Sequence, residues 1–186
     1  MNYKDFYEKG FQVFPNVLLK KETIFYQKKI EKIYNKQVAE FGLDNIVAIG
    51  EESTVRSPFL YDKSFIDLFY SDFCNKIVKD ILGFHAILSL QNAIFMRPNT
   101  EHHQSVYHRD IIHQNFTSSS PLAINLYYCL SDYDYKTGGT CFIPCSHTKE
   151  VMDSDVENIE TIPEAMAGSV ILFDSMMFHK AGVDFS

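Results

Sequence analysis

No stretch of 18 uncharged apolar residues occurs in this 186-residue chain, so no segment reads as a membrane-spanning helix. The opening, Met1-Asn2-Tyr3-Lys4-Asp5, has no apolar h-region and does not read as a secretory leader. Basic clusters are missing too. Lys20-Lys21 and Lys28-Lys29 are helix-surface pairs, set against a formal net charge of −7, which argues against nucleic acid or an anionic membrane as partner. A soluble, cytoplasmic protein is expected. Cysteine is scarce, at 4 residues. Cys141-x3-Cys145-x-His147 lacks a clear fourth ligand and the C-x2-C knuckle of zinc sites. Cys74 and Cys129 lie in apolar surroundings, so buried, reduced thiols are expected.

What is present is apolar and aromatic: 46% hydrophobic residues, with Phe 16 and Tyr 11, suit a sizeable core rich in β-structure. A single domain spanning 1–186 accommodates this length. Phe11 to Phe14 reads as a brief strand stopped by Pro15. Lys21 to Glu40 reads as a helix, with Ile24, Phe25, Ile30, Ile33, Tyr34 and Val38 at helical spacing. Residues 42–58 read as loop, and Phe65 to Leu82 as a second helix stopped by Gly83. Strands follow at His85–Met96, Ala123–Leu130, Thr140–Ile143 and Val170–Phe173, punctuated by Pro98-Asn99, Gly138-Gly139 and Asp-rich turns. Helices first and short strands afterwards predict a mostly β, α+β fold: a sandwich or double-sheet barrel carrying N-terminal helices.

One tripeptide draws chemistry to itself. His108-Arg109-Asp110, with Asn115 beyond, fits a protein-kinase catalytic loop. A kinase also needs a Gly-rich phosphate loop, a strand lysine and a D-F-G metal site, and the sequence has none of them. The other reading is metal. Residues two apart on a strand point the same way, so His108 and Asp110 can share an ion while Arg109 faces elsewhere. His179, at the end of a distant apolar run, can supply the third ligand. Two imidazoles and a carboxylate cap one face of a ferrous ion and leave positions open for a co-substrate and dioxygen. A lone H-x-D also recurs by chance on solvated strand faces, so the rest of the chain has to decide.

The flanking blocks decide it. Leu90-Gln-Asn-Ala-Ile-Phe-Met-Arg-Pro98, His108-Arg-Asp110, Gly138-Gly-Thr-Cys-Phe-Ile-Pro-Cys-Ser-His147, Ala167-Gly-Ser-Val-Ile-Leu-Phe-Asp174 and Phe178-His-Lys-Ala-Gly182 occur in that order. Together with Phe6-Tyr-Glu-Lys-Gly-Phe-Gln-Val-Phe-Pro-Asn16 they resemble the phytanoyl-CoA dioxygenase family over nearly the whole chain. The resemblance implies a double-stranded β-helix, the cupin-like jelly roll, holding Fe(II) through His108, Asp110 and His179. It further implies 2-oxoglutarate as co-substrate and dioxygen as oxidant, acting on a small molecule. Related halogenases have a small residue in place of Asp110, so its presence implies hydroxylation.

The resemblance also nominates co-substrate contacts. It favours Tyr127 over Tyr128 as the inward aromatic, and adds Gln91, Thr140 and Arg56, although Gln91 is equally well explained by packing. Family members carry an arginine about ten residues past the distal histidine, which clamps the far carboxylate of 2-oxoglutarate. This sequence stops at Ser186, before that residue and its strand. A longer chain or another cation such as Arg56 would then serve, or the protein is a non-catalytic, accessory member of the fold. In the turn Pro144-Cys145-Ser146-His147, Cys replaces the usual Gly, which would strain a positive φ and predicts a turn of different build. His147 reads as a turn cap, and Arg109 as a partner in a surface or supporting salt bridge. His102, His103 and His113 read as exposed or substrate-facing, and residues 113–121 as a lid or substrate loop. No residue names the substrate or the oligomeric state.

Overall fold

Val170–Asp174 is an apolar run without alternation, and all five residues are buried in the computed structural model. A strand covered on one face alternates, whereas one covered on both does not. The structure describes residues 1–95, 104–111, 117–149 and 159–185. In chain order its elements are α1 (Lys4–Lys9), β1 (Phe11–Phe14), α2 (Lys20–Phe41), α3 (Leu43–Ala48), β2 (Thr54–Arg56), a 3-10 turn (Pro58–Leu60), α4 (Ser64–Phe69), α5 (Asp72–Ile81), β3 (Asn92–Ile94), β4 (Ile124–Tyr128), β5 (Cys141–Phe142), β6 (Val170–Asp174) and β7 (His179–Lys180).

The doubly covered strand, β6, is the middle of an antiparallel sheet ordered β1-β6-β4. Its register pairs Leu172 with Gln12 and Leu126 on one face, and Phe173 with Phe11 and Asn125 on the other. The Leu172 face packs on Phe6 of α1 and on Phe73, Ile77 and Ile81 of α5. The Phe173 face, with Ile171, Phe11, Val13 and Tyr127, packs on Phe142 and Met177, close to β5 and β7. Two further antiparallel pairs, β2-β3 and β5-β7, complete the described sheets. A third cluster joins Tyr26 and Ile33 of α2 to Val55 and Phe65.

Several local expectations change here. The helix at 20–41 is as read, but its buried stripe is Thr23, Tyr26, Ile33 and Gln37, whereas Ile24 and Phe25 are exposed. The face is chosen by what it meets: Tyr26 packs on Phe65, and the Gln37 amide donates to the Arg56 carbonyl at 2.8 Å. The helix read over 65–82 is two helices. The Ser71 hydroxyl accepts from the Cys74 N–H at 3.2 Å and starts α5 afresh. Both pieces bury apolar faces, so the hydrophobic pattern runs through the break. Residues 42–58 hold α3 and β2 rather than loop alone, and among the described residues of the strand read over 85–96 only Asn92–Ile94 is strand. Ahead of β1, α1 ends at Gly10 with φ +94°, where an added Cβ would lie 2.6 Å from Met177 Sδ and 2.7 Å from His147 Nδ1. Only glycine fits that corner.

The four cysteines are free, and all but Cys145 are buried. Burial pushes the Cys74 thiol up to about 11 and that of Cys129 up to about 12, so both stay protonated and inert. No helix among the described residues is long and apolar enough to cross a membrane.

Candidate metal centre

His108 and His179 face each other across an antiparallel bridge. The His108 N–H donates to the His179 carbonyl at 2.9 Å and the His179 N–H returns the bond at 3.0 Å. Residues so paired send their side chains to the same face. Their rings lie 4.5 Å apart between centroids. Asp110, two residues beyond His108, points the same way, and its N–H is held by the Ser175 carbonyl at 3.1 Å. Its Oδ1 sits 3.8 Å from His108 Nε2 and 3.6 Å from His179 Nε2.

The hydrogen bonds settle which nitrogen of each ring is bare. His108 Nδ1 lies 2.9 Å from the Val106 carbonyl, and His179 Nδ1 lies 2.9 Å from the Met177 carbonyl. A carbonyl only accepts, so in the neutral form of each ring Nδ1 carries the proton and Nε2 presents a lone pair. His108 Nε2 is buried and has no hydrogen-bond partner. Burial depresses the His179 pKa, and Asp110 and the Met177 carbonyl only partly oppose that, so His179 stays neutral and able to coordinate. Two bare imidazole nitrogens and a carboxylate oxygen therefore converge within 4.8 Å, the one such group of three or more among the described residues. Three acceptors with no proton between them are a poor apo arrangement and a good one for a divalent cation with imidazole and oxygen ligands.

The surroundings are asymmetric. Phe173 and Phe142 flank the His179 ring at 5.2 and 5.9 Å, and Tyr127 meets Phe173 edge-on at 4.7 Å, giving a dry floor. Asp110 lies at the open side, with 32% side-chain exposure against 3% for His179. Behind the centre, the alternate residues of the same strands form a stack. The Lys180 ammonium lies 4.5 Å from the Tyr107 ring, Tyr107 stacks on Phe178 at 5.2 Å, and the Arg109 guanidinium sits 5.7 Å from Phe178. Glu160 joins the two strands across this back face, accepting from the Tyr107 hydroxyl at 2.5 Å and pairing with Lys180 at 3.3 Å. Arg109 binds carbonyls rather than a carboxylate: its Nε donates to Met176 at 2.8 Å and its Nη2 to Ser146 at 3.0 Å.

The profile of the phytanoyl-CoA dioxygenase (PhyH) family matches residues 6–184. The chain belongs to the phytanoyl-CoA dioxygenase family. Among curated relatives, uncharacterised proteins of Mycobacterium tuberculosis and Mycobacterium bovis are each 25% identical over 178 residues, covering 93% of this chain. The chain spans 65% of the length of those relatives. Among solved structures it is similar to AviO1 from Streptomyces viridochromogenes, with a TM-score of 0.71, 17% identity, and coverage of 99% of this chain and 87% of that one. SnoK, described as a non-heme alpha-ketoglutarate-dependent carbocyclase from nogalamycin biosynthesis, has a TM-score of 0.70 at 15% identity, covering 98% and 77%. The epimerase SnoN, in complex with Fe3+, alpha ketoglutarate and nogalamycin RO, has 0.70 at 16%, covering 98% and 76%. The fold of this family member is accordingly the cupin-like jelly roll, with helices at its N-terminal side.

The remaining nominated residues separate. Tyr127 lies on the Phe173 face, and burial, with the Asp110 charge adding, raises its phenol pKa well above normal. Thr140 is buried just ahead of β5, with its N–H donating to the Tyr133 hydroxyl at 2.7 Å. Gln91 precedes β3 rather than lying in it, and its amide donates to the Phe65 carbonyl at 2.9 Å. Arg56, on β2, is paired with Glu51, its Nε donating at 2.8 Å. These two side chains are thus tied to the helical side of the molecule. His147 is buried with Nε2 3.4 Å from the Tyr7 carbonyl, and it joins no metal group with Cys141 and Cys145 among the described residues.

Cys145 keeps the positive φ, at +66°, so the turn is built as with glycine and carries the strain. The Cys145 N–H donates to the Lys9 carbonyl at 2.9 Å, and its thiol donates to the Glu8 carbonyl at 3.2 Å. His102, His103 and His113, and part of the expected lid, lie outside the described residues. Sequence reasoning missed Asn125, whose amide reaches Asp110. The signal was available: one carboxamide inside the apolar strand Ile-Asn-Leu-Tyr-Tyr-Cys.

Proposed function

We propose that this protein is an Fe(II)- and 2-oxoglutarate-dependent dioxygenase that hydroxylates a small-molecule substrate, with His108, Asp110 and His179 as the iron ligands. The observation that carries the reading is the convergence of two unprotonated Nε2 atoms and one carboxylate oxygen within 4.8 Å. Membership of the phytanoyl-CoA dioxygenase family supports the class. When bound, ferrous iron and 2-oxoglutarate supply the oxidising power for attack on a C–H bond, with succinate and carbon dioxide as by-products of dioxygen use. The chain holds and shields them. The Val106 and Met177 carbonyls fix the ring orientations, and burial keeps His179 neutral. Phe142, Phe173 and Tyr127 exclude water from the deep side, while the exposed flank at Asp110 admits ligands. Asp110 occupies the position at which a smaller residue would make room for halide, which argues against halogenation and leaves hydroxylation as the default reaction.

Of the nominated co-substrate contacts, Tyr127 lies on the Phe173 face of β4, and Phe173 in turn packs on the His179 ring, which supports a role near the centre. Arg56 and Gln91 would first have to release Glu51 and the Phe65 carbonyl. The test is anaerobic addition of Fe(II) and 2-oxoglutarate to the purified protein. A weak visible charge-transfer band is expected, together with slow succinate release in air, and Asp110→Ala should abolish both. Absence of the band from folded wild-type protein at saturating iron and 2-oxoglutarate would end the oxygenase assignment.

A further inference from the structure

Asp110 has two carboxylate oxygens, and the fold treats them differently. Oδ1 faces the two bare Nε2 atoms at 3.8 and 3.6 Å. Oδ2 is taken: the Asn125 amide nitrogen donates to it at 2.7 Å and to Ser175 Oγ at 2.9 Å. Both amide hydrogens are thus committed, one to the carboxylate and one to an anchor. Asn125 is itself fixed by the β4-β6 register, opposite Phe173, and Ser175 follows directly on β6. The Ser175 carbonyl also receives the Asp110 N–H at 3.1 Å, so backbone and side chain of Asp110 are held from the same place.

A carboxylate free to turn about its Cβ–Cγ bond can offer a cation either one oxygen or both. With Oδ2 bound by a neutral amide, a single oxygen is presented. Asn125 is well suited to this, because an amide N–H supports the ionised carboxylate without bringing a competing charge. Resting on the metal-site reading above, we infer that Asn125 is a positioning residue that locks Asp110 into one-oxygen ligation and so keeps a second position on the metal open. Oxygenase chemistry needs that position for its co-substrate and dioxygen.

The test uses Co(II) as an air-stable probe of the whole protein, following affinity by competition titration and geometry by the visible d–d spectrum. Asn125→Leu preserves side-chain volume and removes both donors. It should weaken Co(II) binding about 10- to 100-fold, the usual cost of deleting a partner of a metal ligand, and alter the d–d spectrum. The urea midpoint of the metal-free variant reports whether the fold is intact. Should Asn125→Leu fail to fold, Ser175→Ala removes only the anchor of the amide and should shift affinity and spectrum in the same direction by less. Wild-type affinity and an unchanged spectrum in a folded variant would overturn the role of Asn125 while leaving the metal site standing. No Co(II) binding by wild-type protein, or binding that Asp110→Ala does not disturb, would overturn both.

Discussion

Replacing Arg109 by methionine should destabilise the metal-free protein by about 2–4 kcal/mol, although Arg109 touches no ligand atom. The guanidinium makes two charge-assisted bonds, to the Met176 carbonyl at 2.8 Å and the Ser146 carbonyl at 3.0 Å. Such bonds contribute about 1.5–3 kcal/mol each when the partner is left buried and unpaired. Met176 and Ser146 are 1% and 0% exposed, so water reaches the abandoned carbonyls poorly. The cation–π contact with Phe178 at 5.7 Å adds about 0.5–1 kcal/mol. Arg109 is itself half-buried and its site can relax, which brings the sum down to the range given. At about 2–4 °C per kcal/mol for a domain of this size, the melting temperature should fall by roughly 4–16 °C. Urea unfolding of the metal-free protein measures it, with Arg109→Lys expected to recover about half because one ammonium reaches one carbonyl. A loss under about 1 kcal/mol for Arg109→Met would refute the view that Arg109 staples the turns at 143–147 and 174–178 to the ligand segment.

Two smaller effects follow from the helical side and from the strained turn. The Lys29 ammonium beside Asp62, with the Ser64 N–H, holds the Asp62 carboxyl down to about 2. A depressed carboxyl contributes stability that is present above its unfolded pKa, near 4, and is lost as pH falls toward 2. The pair is partly exposed, so the contribution is under about 1 kcal/mol. The urea midpoint of wild type should exceed that of Asp62→Asn at pH 6, keep only part of that margin at pH 2.5, and converge on it below about pH 2; an undiminished gap at pH 2.5 would contradict the assignment. At Cys145, the left-handed backbone costs an L-residue about 1–2 kcal/mol, against roughly 0.5–1 kcal/mol for the freedom of glycine. Cys145→Gly should therefore stay within about 1 kcal/mol of wild type, whereas Cys145→Val, β-branched at φ +66°, should lose about 2 kcal/mol more. Equal melting temperatures for the two variants would show that the turn relaxes instead.

The strands β4 and β6 of the central sheet were legible because their residues are selected by both neighbours and alternation, whereas β7, which carries His179, was not read as a strand. Val170–Phe173 is too apolar to be anything but a covered strand, and Ile124–Tyr128 alternates residues packed with Phe6 and Ile77 (Ile124, Leu126) with one packed with Phe173 and Phe142 (Tyr127). The helix break at Ser71 was not legible, since Phe65 to Leu82 keeps one apolar rhythm while its two halves turn to different clusters. Nor was the buried face of α2, where Ile24 and Phe25 look as apolar as Tyr26 and Ile33. Only packing against Phe65 and Val55 distinguishes them.

By itself, the sequence determined that His108 and Asp110 share a face and Arg109 does not, because the two-residue period of an extended chain is local. It also determined, through ordered blocks running from Phe6 to Gly182, the family to which that pair belongs. Only the tertiary structure decided that His179 stands directly opposite His108, that Val106 and Met177 carbonyls leave both Nε2 atoms bare, and that Asn125 takes one oxygen of Asp110. Those are cross-strand facts. Register between distant segments is set by the pairing and packing of the whole sheet, and no local period along the chain encodes it.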